Sequence, residues 1–395
     1  MELNKVVIVS AMRTPIGKLG GQFKDYSATE LGSIAIEAAL DNAGVAPELI
    51  EEVYMGNVLQ AGGGQNPARQ AAIGAGIPVT VPATTVNVVC ASGLESINLA
   101  AKSILLGDAD IVVAGGMESM SSAPFLVRNA RFGYKFGNGA FEDVILADGL
   151  NDAYSDIQMG HTAENVAKMF DFTRTDFDEF ALNSQNKAIN AIDNNLFADE
   201  IVAVPSRAKA TRGEAITQDE APRRNVELEK MAKLKPAFIE DGVVTAGNAA
   251  GLNDGAAAVV LMSADKAAEL GLTPLVEWEA STLIGLDPNI MGLGPIKATE
   301  KLLAKTDLAV DDIDLFEINE AFAAQAVPVV AELGVDPAKV NINGGAIALG
   351  HPLGASGARI LVTLIHNMKR TDKQLGVATL CVGGGMGVAT LVKRI

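Results

Sequence analysis

Val86-Asn87-Val88-Val89-Cys90-Ala91-Ser92-Gly93-Leu94 passes from a β-branched stretch through a short turn into a helical pattern. Apolar residues then recur at Leu94, Ile97, Ala101, Ile104 and Leu105 until Gly107. The spacing predicts a strand over 84–89 and a helix beginning just after Cys90. The same alternation extends outward. Strands are predicted at 6–10, 52–56 and 111–114, with helices at 28–43 and 66–76. Such alternation predicts an α/β fold with a largely parallel sheet.

The last 125 or so residues repeat this plan, with strands predicted at 274–280, 315–318, 340–343 and 377–381 and helices at 296–304, 321–333 and 358–368. Short signatures recur in matching places. Ala91-Ser92-Gly93 precedes one helix and Ala355-Ser356-Gly357 another, while Ala114-Gly115-Gly116-Met117 is echoed by Gly383-Gly384-Gly385-Met386. These repeats point to two similar α/β halves made by duplication. Residues 119–247 break the pattern: they are polar and turn-rich, with helical stretches at 162–169 and 176–194. They read as an insertion in the first half, to which a β-like run at 255–262 returns. The expected division is therefore 1–118 with 248–270, an insertion over 119–247, and a second half over 271–395.

A chain of 395 residues with 49% apolar and 20% charged side chains is long enough for more than one globular core. Its net charge of −17 argues against a nucleic-acid partner. One stretch runs the other way. Between Arg207 and Lys235, eight basic residues, Arg223 among them, face five acidic ones, which suits either a phosphorylated ligand or a solvated helix face. No segment is expected to be long and apolar enough to cross a membrane, and neither a signal peptide nor a presequence is expected. A cytoplasmic setting follows, in which both cysteines stay reduced.

Those two cysteines are the first candidates for chemistry. Cys90 lies where a strand gives way to a helix, and unpaired N–H groups at a helix N-terminus favour thiolate over thiol. Cys381 ends an apolar strand and enters Gly383-Gly384-Gly385, whose backbone N–H groups can bind a developing oxyanion. His351 stands in a glycine-rich loop, N-G-G-A-I-A-L-G-H-P-L-G, and an imidazole there can accept a thiol proton. Asn319 follows a strand and opens a helix in I-N-E-A-F-A-A-Q, where it would serve as a helix cap or as a polar group of the site. His161 and His366 lack a glycine setting, and His366 is expected at the surface.

Together, N-V-V-C-A-S-G-L from Asn87, G-G-M-E-S-M from Gly115, G-N-A-A-G-L-N-D-G-A from Gly247, N-E-A-F-A from Asn319, G-G-A-I-A-L-G-H-P-L-G-A-S-G-A-R from Gly344 and C-V-G-G-G-M-G from Cys381 resemble the thiolase family over essentially the whole chain. Its biosynthetic members resemble it most. The resemblance implies two duplicated halves with mixed five-stranded sheets, layered α-β-α-β-α, and an inserted loop domain that binds coenzyme A. It implies Cys90 as the acyl-accepting nucleophile, His351 as its base and Cys381 as the acid/base for the α-carbon of a second acetyl-CoA. Asn319 would act through a water with His351 on the enolate oxygen, and the N–H of Gly383 would join that of Cys90 at the oxyanion. Arg223, Ala250, Gln158, Leu150, Met291 and Phe322 would contact the acyl-CoA. No metal and no cofactor is implied beyond the coenzyme A carried by the substrate, and a homodimer or homotetramer is the usual assembly.

Two positions depart from the pattern. Gln158 stands where many biosynthetic members have histidine before M-G-x-T-A-E-N, with His161 three residues on. Ala250 stands where many have serine in G-N-A-S-G. The implied reaction joins two acetyl-CoA into acetoacetyl-CoA through an acyl-cysteine, with ping-pong kinetics. Its nearest rival is cleavage of longer 3-ketoacyl-CoA. A ketoacyl synthase shares the architecture but not the second cysteine in C-x-G-G-G, and a non-catalytic acyl-CoA-binding relative is set against by the presence of Cys90, Asn319, His351 and Cys381.

Overall fold

The computed structural model describes residues 4–395. Its main strands are β1 (Val6–Arg13), β2 (Glu52–Gly56), β3 (Ala83–Val86), β4 (Ile111–Ser119), β5 (Asn253–Ser263), β6 (Val276–Gly285), β7 (Leu315–Ile318), β8 (Leu375–Val382) and β9 (Met386–Arg394). Its longer helices are α1 (Ala28–Ala43), α2 (Pro67–Gly74), α3 (Ser92–Leu106), α4 (Met159–Ala167), α5 (Arg174–Asp193), α6 (Gly294–Thr306), α7 (Ala323–Glu332) and α8 (Leu353–Thr371). Local chemistry sets several of these limits. Ser27 caps α1 through the Glu30 N–H while the Glu30 side chain accepts from the Ser27 N–H, and left-handed Gly44 closes the helix. Left-handed Gly107 closes α3 in the same way.

The strands form one path in the order β7-β8-β9-β6-β1-β5-β4-β2-β3, and the two-residue strand Gly17–Lys18 pairs beside β5. The sheet is mixed rather than largely parallel. Only β2/β3, β2/β4 and β7/β8 run parallel, because β5 and β9 enter antiparallel between elements of their own half. The two halves are also zipped together, with Val6 opposite Trp278 and Ile8 opposite Val276. The strand expected at 340–343 shrinks to a single bridge between Phe316 and Val340. Asn341 turns to φ +44° there, and its side chain bonds to both the N–H and the carbonyl of Ile318. The sequence pattern did not anticipate β9. Gly383–Gly385 is a hairpin turn that sends the chain back, with Val382 opposite Met386.

Helices and sheets stack in five layers. α1 and α2 cover the outer face of the first half over Leu31, Ile36, Met55 and Val113. α6 and α7 cover the outer face of the second over Leu302, Phe316 and Val329. α3 and α8 lie in the centre, burying Leu94, Ile97, Ile360 and Leu364. This corrects one expectation. The 18-residue stretch Val89–Leu106 is long and apolar enough to cross a membrane, but most of it is buried. It is apolar because α3 has sheet or helix on nearly every side.

Residues 119–247 hold α4, α5 and two short hairpins, Phe125–Leu126 with Glu142–Asp143 and Val204–Pro205 with Ala215–Ile216. A buried ion cluster ties this segment to β1. Arg13 Nε meets Glu200 at 2.6 Å, and its guanidinium forks onto Asp219 at 2.8 and 3.0 Å. Removing one partner would strand the other charge in the interior.

Candidate active site

The recurring A-S-G signatures have a structural cause. A Cβ on Gly93 would come within 2.9 Å of the α8 backbone, and one on Gly357 within 2.5 Å of Leu94 N. The first turns of α3 and α8 therefore cross at glycine contact. That crossing sets the turn that carries Cys90 and the loop that carries His351 at the starts of two touching helices.

Cys90 sits on a constrained turn. Val89 has φ +43°, an unfavourable region for a β-branched residue. Ser92 locks it: its hydroxyl donates to Val89 O at 2.6 Å and accepts from the Val88 N–H at 2.9 Å. The thiol is buried, and the backbone N–H groups of Gly383 and of Cys90 itself favour its ionised form. The helix N-terminus alone would lower the thiol pKa. Burial instead pushes Cys90 up to about 11, against the pull of those two N–H groups and with a small push from Glu118. The helix terminus is present, but desolvation outweighs it.

Cys381 lies opposite Gly387 at the end of β8 and is fully buried. It packs with Met159, Met291, Ala321 and Phe322. Burial raises its thiol strongly, and the neighbouring Cys90 raises it further. The Gly383 position touches Val89 and Met159, which closes the circle of Cys90, Cys381, Gly383 and α4.

His351 is held at two points. Its N–H donates to Asn253 Oδ1 at 2.9 Å, and Nδ1 lies 2.6 Å from Ser356 Oγ. Gly350 precedes it at φ +113°, and a Cβ there would strike Asn253, so only glycine suits that position. The Ser356 hydroxyl donates back to Pro352 O at 2.8 Å. Its oxygen is then the acceptor for His351 Nδ1–H, which assigns the proton to Nδ1 and leaves Nε2 as a bare lone pair. Nε2 is buried and has no hydrogen-bond partner among the described residues. Burial, helped by the charge of Arg359, lowers the imidazole to about 3, so it is neutral at ordinary pH. No hydrogen bond joins Cys90 to His351 among the described residues in this resting geometry.

Asn319 is not a helix cap. The N-cap of α7 is Phe322, three residues on, and both polar side-chain atoms of Asn319 are buried with no partner among the described residues. Its N–H bonds to Thr379 O, which holds it beside the end of β8. A buried, unpaired amide and an unpaired imidazole nitrogen are groups that a bound oxygen would satisfy.

A cavity of about 240 Å³ gathers Arg223, Ala250, Gln185 and Gly350. It runs up to the residue before His351. Arg223 is positioned by its N–H, which donates to Gln185 Oε1, whereas its neighbours Arg207, Arg224 and Lys230 are paired at the surface with Glu30, Asp193 and Glu227. The Ala250 segment is fastened to the stretch after Asn319 by Ala250 N–H to Ala321 O and Ala323 N–H to Asn248 O. Met291 and Phe322 join the Cys381 cluster, and Gln158, at the N-cap of α4, pairs with Asn151 beside Leu150. None of these last four lines the Arg223 cavity. His161 packs edge-on against Phe238. His366 departs from expectation, since it is half-buried and its Nε2 bonds to Ala11 O.

Three positioning residues went unnoticed in the sequence. Ser356 and Asn253 hold His351. Glu118, inside G-G-M-E-S-M, accepts from the N–H groups of Val58, Leu59 and Gly354 and from Asn57, and burial raises it to about 7. Ser356 was marked as the middle residue of the repeated A-S-G, while Glu118 and Asn253 lay inside quoted motifs with nothing to show what they hold.

Residues 6–265 match the thiolase N-terminal domain and residues 272–394 the thiolase C-terminal domain. The chain belongs to the thiolase family. Among its relatives, an acetyl-CoA acetyltransferase of Cupriavidus necator is 54% identical over 392 residues, which is 99% of this chain and all of that protein. One from Chromobacterium violaceum is also 54% identical, over 390 residues and with the same coverage. A probable acetyl-CoA acyltransferase of Staphylococcus aureus is 51% identical over 392 residues, again 99% of this chain and all of that protein. The crystal structure of the Bacillus anthracis acetyl-CoA acetyltransferase superposes with a TM-score of 0.97 at 44% identity, covering the whole of both chains. This thiolase therefore shares family and fold with acyltransferases along its full length.

Proposed function

We propose that this thiolase is an acetyl-CoA C-acetyltransferase that reversibly condenses two acetyl-CoA into acetoacetyl-CoA and coenzyme A. The observation that carries the reading is the second thiol: Cys381, packed among Met159, Met291, Ala321 and Phe322, is close enough to Cys90 for charge on one to oppose charge on the other, and the Gly383 N–H favours the Cys90 thiolate. In the first half-reaction the Cys90 sulfur attacks the thioester carbonyl and its proton passes to His351 Nε2. The N–H groups of Cys90 and Gly383 bind the oxyanion, and coenzyme A leaves as a thiol carrying that proton. Acetylated Cys90 can no longer ionise, so no charge there opposes the ionisation of Cys381. In the second half, Cys381 gives its proton to the freed His351 Nε2, and the resulting thiolate takes the α-proton of a second acetyl-CoA. The enolate oxygen faces His351 Nε2 and, through a water, Asn319. The new C–C bond expels the Cys90 sulfur, to which Cys381 returns the proton. A thiolate whose conjugate acid is so weak suits a weakly acidic α-carbon.

On this reading residues 119–247 form an inserted loop domain that binds coenzyme A, between halves formed by 1–118 with 248–270 and by 271–395. The cavity of Arg223 and Ala250 supports that division, with Arg223 toward the nucleotide end and Gln158, Leu150, Met291 and Phe322 toward the acyl end. We assign the enzyme to a reducing cytoplasm, which suits its two free thiols. We also assign it a homodimeric or homotetrameric state, to which the exposed Phe132, Phe136 and Phe141 of the first inserted hairpin lend an apolar contact. The test is whether purified enzyme given acetyl-CoA alone releases free coenzyme A and forms acetoacetyl-CoA. Thiolysis of acetoacetyl-CoA should exceed that of an eight-carbon 3-ketoacyl-CoA. Faster cleavage of the longer substrate would transfer the assignment to the degradative reaction.

A further inference from the structure

A second cavity, of about 470 Å³, opens between α5 and α7, outside the Cys90 cluster and the Arg223 cavity. Its volume lies in the range of small-molecule sites, ~300–1,000 Å³. The walls are mainly apolar and include Phe172, Phe180, Val327, Val330 and Val335. Into this lining comes one cation. Lys187 Nζ donates to Val340 O at 2.8 Å and makes no ion pair among the described residues. The carboxylate that also lines the cavity makes no ion pair with it among the described residues. Glu320 is committed elsewhere, accepting from Ser184 Oγ at 2.7 Å, Asn341 Nδ2 at 2.8 Å and the Ile347 N–H at 3.2 Å. Burial lowers the Lys187 ammonium, and the more distant charges of Glu320 and Glu317 only partly hold it up. A half-desolvated cation with donors to spare, at the edge of an apolar hollow, is stabilised by an anion brought in on an apolar tail.

We infer that this α5–α7 cavity is a binding site for a monocarboxylate with an aliphatic tail, its carboxylate on Lys187 and its tail among Phe172, Phe180, Val327, Val330 and Val335. The floor of the site reaches both parts of the catalytic centre. Glu320 directly follows Asn319, and Ser184, which holds Glu320, also accepts the Gly345 N–H of the loop leading to His351. A ligand here sits against the supports of both groups without touching either.

Octanoate is a suitable probe, followed by calorimetry on the full-length enzyme. The expected result is one octanoate per chain, with affinity unchanged within twofold by saturating acetyl-CoA. Octan-1-ol, which lacks the charge, should bind at least tenfold more weakly. Lys187→Met should weaken octanoate at least tenfold. Ala331→Trp, at the exposed rim and so without burden on the core, should do the same by filling the mouth. The inference is overturned if wild-type enzyme takes up no octanoate, if acetyl-CoA displaces it, if octanol binds equally well, or if both variants bind octanoate within twofold of wild type.

Discussion

Replacing Ser356 with Ala removes one hydroxyl from a buried turn of α8, and it tests the assignment of His351 Nε2 as a bare base. Ser356 Oγ is 2.6 Å from His351 Nδ1 and is itself buried. Without it the Nδ1–H has no acceptor, and a stranded buried donor costs about 1–3 kcal/mol. The ring can recover some of this by changing tautomer or by turning, but either change takes Nε2 out of its role. At ~1.4 kcal/mol per factor of ten, the acetylation rate of Cys90 should fall by about 5- to 150-fold. The fold should survive, since Ala favours a helix and the gap left is only a hydroxyl. Single-turnover quench with acetyl-CoA, read by mass of the acetylated protein, measures this step alone. The loss should persist at saturating substrate, because the hydrogen bond acts on the reacting base rather than on binding. If folded Ser356→Ala enzyme acetylates within twofold of wild type, the Nδ1 contact does not fix the ring and the tautomer argument is wrong.

Because burial lifts Cys90 to about 11, its thiolate fraction at pH 7 is roughly 10⁻⁴; alkylation by iodoacetamide should therefore climb about tenfold per pH unit from 7 to 10, and a plateau below pH 8 would contradict a buried thiol. Cys90→Ser should take up no acetyl from acetyl-CoA by mass spectrometry, and labelling equal to wild type would remove it as nucleophile. Cys381→Ala should still acetylate Cys90 but lose α-proton exchange in deuterated water by at least ~10²-fold, whereas His351→Ala should lose acetylation itself; equal loss of acetylation in both would dissolve the two-step division of labour. Arg223→Ala should raise KM for acetyl-CoA with little change in kcat, as uniform binding requires; a fall in kcat at constant KM would place Arg223 in the chemistry or the fold.

What the sequence made legible was local. The limits of α1 could be read because Ser27, Glu30 and Gly44 signal them within a few residues. The crossing of α3 and α8 could be read as a repeat before it could be read as contact. The grip of Asn253 on His351 could not, since nothing in either segment marks a bond between them. The thiol of Cys90 was misjudged for a related reason: the helix start is written in the sequence, whereas the desolvation that overrides it depends on packing from the whole chain. β9 was missed because Gly383–Gly385 was read only as a source of N–H groups, although the same glycines also turn a hairpin.

The place of β9 has a consequence for how the enzyme is made. It is the latest strand in the chain, yet it lies inside the sheet, hydrogen-bonded to β8 on one side and β6 on the other. During synthesis every other strand leaves the ribosome first, and until residue 394 follows, β6 and β8 each offer an open apolar edge to any passing strand. Nascent chains should therefore depend on protection during this interval. An mRNA break or premature stop upstream of Met386 should yield aggregating, inactive product even though Cys90, Asn319, His351 and Cys381 have all been translated.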